Sequence, residues 1–179
     1  NTSTIKYSIG LVDRFIGEWG FDGLKLDGQH LNCCLPDHNH HSHLEYPEKS
    51  VEKLPEFFQG IFERAREIKP YSVVQICPCG CAMNFFLTPH MNQAVASDPT
   101  SSAQIRMKRK VYSAMCPDMA YYADHIELSD EANDYGTQIG IGGVIGSKFT
   151  WPKPSPDVKG DGYLLTPEKE AALKKWVGI

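Results

Sequence analysis

Apolar residues recur at intervals of three and four positions in several stretches of the chain, which is the spacing of amphipathic helices. Gly20 ends the first of these stretches and Pro70 ends the second. The last begins with Thr166 as a predicted N-cap and Pro167 at the first helical position. A shorter segment, residues 85–91, predicts a loop or a short helix. The four predicted helices cover residues 7–19, 50–68, 101–115 and 166–177.

Short apolar segments lie between the predicted helices and are predicted to be strands. They are almost continuously apolar instead of alternating with polar residues, which is typical of a parallel sheet covered by helices. Both an open doubly wound sheet and a closed (β/α)8 barrel fit this α/β pattern. The five predicted strands cover residues 23–27, 72–77, 94–98, 119–123 and 140–145.

Polar side chains at the C-terminal ends of the predicted strands favour the TIM-barrel alternative, because barrel active sites form at that end. A complete barrel needs about 250 residues, and this chain has 179. We therefore expect residues 1–179 to form the C-terminal part of a barrel, about strands four to eight, with three further strands preceding them. The strand-end residues are Asp27, Cys79, Asp98 and Asp124.

The amino-acid composition argues against several classes of binding partner. The chain has 18 Lys and Arg residues against 22 Asp and Glu residues, a net charge of −4, and no long basic run. Nucleic acid and anionic membrane surfaces are therefore not expected as partners. The apolar runs are far shorter than the roughly 20 residues that a membrane-spanning helix needs.

Cysteine and histidine raise the question of a metal site. Cys77, Cys79 and Cys81 alternate in a spacing that differs from the CxxC pairs of zinc sites, so we predict buried or pocket-lining thiols. The loop after the first strand contains His40, His41 and His43, which could share a metal ion. The favoured interpretation is a solvated loop or pocket edge, with no metal and no cofactor.

Asp27 and Asp98 each follow a predicted strand, so a parallel sheet would bring both to one edge. A pair of carboxyl groups is what glycoside cleavage requires: one attacks the anomeric carbon and the other protonates the leaving oxygen. The alternative is that each Asp caps the following helix or turns the chain. The spacing alone leaves both interpretations open.

The segment WGFDGLKLD, which ends at Asp27, resembles the KxD segment at the end of strand four in the alpha-galactosidase clan. The greatest similarity is to glycoside hydrolase family 36, and it extends in consistent order over residues 5–177. It includes a Cys- and Gly-containing segment after strand five, ICPCGC at residues 76–81, and a strand-six segment that ends at Asp98. The strand-seven segment that ends at Asp124 is similar as well.

The resemblance implies a retaining glycoside hydrolase of the alpha-galactosidase type. Asp27 would be the nucleophile, and Lys25 would bind hydroxyl groups of the sugar. Asp98 would be the acid/base, protonated first and then a base for water. The remaining predicted substrate-binding residues are His30, Cys79, Asp124 and Trp151, of which Trp151 either stacks on a sugar or simply packs.

Two departures from the family bear on the substrate. Ala94 occupies the position four residues before Asp98 where the family usually has Arg. Strands one to three, which complete the sugar pocket, do not occur in this sequence, so the expected partners are a carbohydrate and the missing N-terminal half of the domain. The alternatives are a transglycosidase of the same architecture, a non-catalytic sugar-binding or structural barrel fragment, and a metal-binding module on the His-rich loop.

Overall fold

The structure is a computed structural model that describes residues 2–28, 49–78, 84–98, 102–124, 134–146 and 166–178. Six helices lie in these ranges: α1 (Thr2–Val12), α2 (Lys49–Glu52), α3 (Leu54–Ile68), α4 (Ser102–Met115), α5 (Asp134–Gly140) and α6 (Pro167–Val177). The four strands are β1 (Gly23–Leu26), β2 (Val73–Ile76), β3 (Gln93–Val95) and β4 (Ala120–Tyr122). A π-helical segment, Asp13–Glu18, extends α1, and a 3-10 helix covers Phe85–His90.

The strands form one sheet in the order β1-β2-β3-β4. β1 and β2 are parallel and in register from Gly23 opposite Val73 onwards, and β2 and β3 are parallel at Gln75 and Gln93. The prediction of an α/β protein with a parallel sheet is therefore confirmed. The sheet is not closed within the described residues, so the (β/α)8 barrel stays a prediction.

The fifth predicted strand, residues 140–145, is wrong. α5 ends at Gly140, and the chain then turns through Gly142, whose φ of 69° lies in the left-handed region. Gly143 donates a hydrogen bond back to the carbonyl of Gln138, and Val144 alone forms a parallel bridge with Tyr122. The glycines that made the segment resemble a tightly packed strand instead permit a turn.

The first predicted helix begins earlier than expected and changes its geometry. α1 starts at Thr2, and the π-helical segment replaces the predicted last turns. The backbone N–H of Trp19 donates to the carbonyl of Arg14 at 2.8 Å, the five-residue step of a π-helix. The 3-10 helix at Phe85–His90 agrees with the prediction of a short helix there.

Contacts divide the chain into two compact units, Asn1–Gln93 and Ala94–Ile179. In the first unit, α1, the π-helical segment and α3 pack on the β1 and β2 strands. The core of this packing consists of Val12, Ile16, Ile61, Ala65 and Val74, with Leu24 and Leu26 against it. Each such large apolar side chain contributes about 1.5–3 kcal/mol when fully buried, which fixes which face of β1 turns inward.

In the second unit, α4 packs its inward face against β4. Ile105 is fully buried, and its carbonyl accepts a hydrogen bond from the Tyr121 hydroxyl at 3.0 Å. Burial and the neighbouring Tyr112 raise the pKa of Tyr121 above its ordinary value. As predicted, Thr166 caps α6, where its hydroxyl oxygen accepts from the Lys169 N–H. No helix among the described residues is long and apolar enough to cross a membrane.

Candidate active site

Asp27 lies immediately after β1 and is exposed. Its Oδ1 accepts a hydrogen bond from the N–H of Gly28 at 3.0 Å, and Gly28 has a left-handed φ of 74°. Gly28 thus allows the chain to turn away directly after the carboxylate. Asp27 therefore takes part in the turn, and its exposed carboxylate stands at the C-terminal end of the strand.

Lys25 precedes Asp27 by two residues and is also exposed, whereas Leu24 and Leu26 pack against the core. Because strand side chains alternate between the two faces, Lys25 and Asp27 lie on the side of β1 opposite to these leucines. The sequence predicts this arrangement, in which the cationic Lys25 lies on the same side of the strand as the proposed nucleophile Asp27.

A row of polar residues crosses the sheet at the level of Lys25. Lys25 is in register with Gln75, and Gln75 is in register with Gln93. The Gln75 Nε2 donates to the Gln93 Oε1 at 2.7 Å. Gln75 is 4% exposed, and its Oε1 has no hydrogen-bond partner in the part of the chain that the structure describes. The sheet therefore carries a buried polar layer beside the candidate sugar-binding lysine.

A cavity of about 280 Å³ lies beside the same strand in the first unit. Lys25 and Asp27 contribute to its wall, and the rest is mainly apolar, including Phe15 from the π-helical segment and Phe57 from α3. Leu24, Leu26 and buried residues of α1 and α3 also line the cavity, so it lies on the core face of β1 and is part of the apolar packing.

The chain is strained where β3 ends. Ser97 and Asp98 have φ values of 57° and 44°, both in the left-handed region, which costs side chains other than glycine on the order of 1–3 kcal/mol each. Ser97 is fully buried, whereas Asp98 is exposed. Such strain persists only where neighbouring groups hold the backbone, and it is concentrated at functional sites.

Asp124 holds this turn from the end of β4. It is 4% exposed, and its Oδ2 accepts a hydrogen bond from the backbone N–H of Asp98 at 2.9 Å. Asp124 itself has a left-handed φ of 61°. The structure thus brings two predicted site residues together, through the carboxylate of Asp124 and the backbone of Asp98.

Lys108 of α4 is a neighbour of this turn that the sequence analysis missed. Its ammonium group donates to the carbonyls of Ala96 and Ser97, to the latter at 2.9 Å. The available signal was its position: Lys108 lies between the buried residues Ile105 and Tyr112 on the inward stripe of an amphipathic helix. A charge on such a stripe requires a polar partner.

The other predicted site residues are outside the described residues. These are His30, Cys79 and Trp151, together with Cys81 and the histidines of the 29–48 loop. Cys77 is described, and it is a buried cysteine directly after β2. Within the described ranges, no three His, Cys, Asp or Glu side chains are grouped so that they could hold a metal ion. Asp27 and Lys25 belong to the first unit, and Asp98 and Asp124 belong to the second.

Comparison with known proteins gives one informative match. No family model matches the chain. The chain is 32% identical over 178 residues to a Flavonifractor plautii protein named A type blood alpha-D-galactosamine galactosaminidase. The aligned region covers 98% of this chain but only 14% of that relative. The name describes that relative, and a galactosaminidase is a glycoside hydrolase.

Proposed function

We propose that the protein containing this chain is a retaining glycoside hydrolase that releases a terminal α-linked galactose-type sugar. The observation that carries the proposal is the similarity, along nearly the whole chain, to a protein named a galactosaminidase. The positions of Asp27 and Asp98 support it, since each carboxylate follows a strand of a parallel sheet and is exposed.

In the proposed mechanism, the ionised Asp27 attacks the anomeric carbon while the bond from that carbon to the leaving oxygen breaks. Asp98 donates its proton to the leaving oxygen, and the sugar is left as an ester of Asp27. A water molecule then attacks the anomeric carbon, Asp98 takes one of its protons, and Asp27 leaves as a carboxylate. Lys25 hydrogen-bonds sugar hydroxyls on the same side of β1 as Asp27.

Two sugars are candidates for the site. The resemblance to the alpha-galactosidase clan favours galactose, and the relative's name favours galactosamine. Ala94, which stands where the family usually has Arg, is fully buried within β3 and contributes no polar side-chain group to a sugar. We therefore propose that the contact usually made from this position is absent, so that the sugar specificity differs from that of the family.

The nucleophile is tested by Asp27→Gly in the full-length protein. This change removes the group that forms the glycosyl ester, so activity on an aryl α-galactoside or α-galactosaminide should fall by several orders of magnitude. Added azide should partly restore turnover, because it fits the space left and attacks the anomeric carbon. Asp22→Asn is the matched control, because Asp22 is an exposed carboxylate that lies directly before β1 and forms an ion pair with Lys69.

The acid/base is tested by Asp98→Ala with two leaving groups. The loss of kcat/KM should be large for substrates with a poor leaving group and small for dinitrophenyl glycosides, because kcat/KM reports the first step and a good leaving group needs no proton there. The glycosyl ester should accumulate with dinitrophenyl glycosides, since the second step has lost its base. Near-normal activity of Asp27→Gly, or a wild-type protein that hydrolyses neither sugar, would contradict the proposal in favour of a non-catalytic sugar-binding role. Transfer of the sugar to an added sugar acceptor in preference to water would indicate the transglycosidase alternative.

A further inference from the structure

The end of β3 is held by side chains that come from two other elements of the second unit. We call residues 96–98 the β3 turn. Lys108 of α4 binds the carbonyls of Ala96 and Ser97, and Asp124 after β4 binds the N–H of Asp98. Three consecutive residues of the turn therefore have a backbone group bound by a charged side chain.

These contacts oppose the strain in the turn. Ser97 and Asp98 are both left-handed, a conformation that residues other than glycine rarely adopt without support. Hydrogen bonds to charged groups are among the stronger hydrogen bonds in proteins, and the stabilisation from each is similar in size to the strain of one left-handed residue. Lys108 and Asp124 therefore stabilise the turn in this conformation.

The position of the Asp98 carboxyl group depends on this turn. Its Cα follows directly from the φ angles that Lys108 and Asp124 maintain, and its side chain is exposed. Asp124 is 4% exposed and has one carboxylate oxygen on the Asp98 backbone, so it is better placed to hold Asp98 than to contact a sugar.

We propose that Lys108 and Asp124 are positioning residues for the acid/base Asp98, acting through the backbone of the β3 turn. The inference rests on the proposed function, because it assigns Asp98 a proton to transfer. It adds Lys108 to the machinery of the site and gives Asp124 a role other than substrate binding.

The first experiment compares Lys108→Met with Lys108→Arg in the full-length protein. Loss of the ammonium group should lower kcat about tenfold to a hundredfold on substrates with a poor leaving group, because a displaced acid transfers its proton slowly. The kcat/KM for dinitrophenyl glycosides should stay close to that of the wild type, since kcat/KM reports the first step, which needs no acid with this leaving group. Arg retains a cationic donor and should restore most of the loss. Lys110→Met, an exposed lysine on the same helix, is the control.

The second variant pair is Asp124→Ala and Asp124→Asn. Ala removes the acceptor and should give the same leaving-group-dependent loss, whereas Asn keeps an oxygen that can accept the Asp98 N–H and should lose less. Asp118→Asn, an exposed carboxylate before β4, is the control. The inference would be overturned if a variant lost activity equally on substrates with good and with poor leaving groups. It would also be overturned if Lys108→Met or Asp124→Ala lost no activity.

Amide hydrogen exchange tests the turn without any substrate. A peptide spanning residues 94–98 should exchange faster in Lys108→Met and Asp124→Ala than in the wild type, while a peptide from β2 should not change. Unchanged exchange at residues 94–98 would overturn the inference even in an active enzyme. If the wild type has no glycosidase activity, the proposed function fails, and faster exchange would still support the action of both residues on the turn.

Discussion

Three residues other than glycine have a left-handed φ in the described part of the chain: Ser97, Asp98 and Asp124. All three follow β3 or β4 at the C-terminal end of the strand. Aspartate is among the few residues other than glycine that enter the left-handed region, whereas serine rarely does, so local preference accounts for Asp98 and Asp124 better than for Ser97. The strained backbone coincides with the position of the proposed acid/base, which favours a functional role for these residues over a simple chain turn.

Gly146 lies directly against one of these strained residues. A Cβ at this position would lie 2.0 Å from the Asp124 carbonyl oxygen and 2.6 Å from the ring of Tyr122. Gly146→Ala should therefore displace the Asp124 backbone and lower the free energy of unfolding by about 1–3 kcal/mol, the usual cost of overpacking. Urea denaturation measures the loss, and we expect the activity on poor leaving groups to fall with it.

Gly140→Ala provides the matched control for this substitution. A Cβ at Gly140 meets nothing within 4 Å, so the protein should keep its stability or gain slightly. If Gly146→Ala and Gly140→Ala both unfold at the same urea concentration as the wild type, the close approach between residue 146 and Asp124 is not tight enough to position Asp124.

At the scale of elements, the strands and helices with strong periodicity were predictable. α4 and α6 lie within a residue or two of their predicted bounds, since their caps and apolar spacing are local signals. The turn at residues 140–145 was not predictable, because a run of glycine and apolar residues fits a turn and a strand equally well. Tertiary contacts decide between the two. The π-helical segment Asp13–Glu18 has no known local signature, so a regular helix was the natural expectation.

Asn92 joins β2 to β3 through its side chain. Its Oδ1 accepts from the Val74 N–H at 2.8 Å, and its Nδ2 donates to the Ser72 carbonyl at 2.9 Å. Val74 and Ser72 are fully buried, so removing the amide leaves two buried backbone groups without these partners. Each such group costs about 1–3 kcal/mol.

The Ser72 carbonyl also accepts from Arg66 Nη1 at 3.4 Å. Asn92→Ala should therefore leave mainly the Val74 N–H unpaired and lower the free energy of unfolding by about 1–3 kcal/mol. Chemical denaturation measures this value. Gln59→Ala is the control, since Gln59 hydrogen-bonds Glu63 on the exposed surface of α3, and its loss should change stability little. A small effect of Asn92→Ala would mean that water replaces the amide.

For the whole molecule, the candidate site was predictable only in part. The positions of Asp27 and Asp98 after β1 and β3 were predictable, because each follows a short apolar segment of the sequence; their catalytic roles stay a prediction. Lys108 and Gln75 could not, since their importance depends on which elements meet in three dimensions. A lysine that binds the carbonyls of residues 96 and 97 resembles, in sequence, any lysine on a helix.

The stereochemistry of hydrolysis tests the roles proposed for Asp27 and Asp98. A nucleophilic Asp27 requires its carboxyl group to lie about 5–5.5 Å from that of Asp98, which leaves no room for a water molecule between Asp27 and the sugar. Two displacements at one carbon restore the original configuration. The sugar first released from an α-glycoside should therefore be the α-anomer, which proton NMR detects before the anomers equilibrate. Carboxyl groups about 6.5–9.5 Å apart would admit that water and give the β-anomer first. A β-anomer would rule out Asp27 as a nucleophile while leaving a hydrolase in which Asp27 acts as the general base.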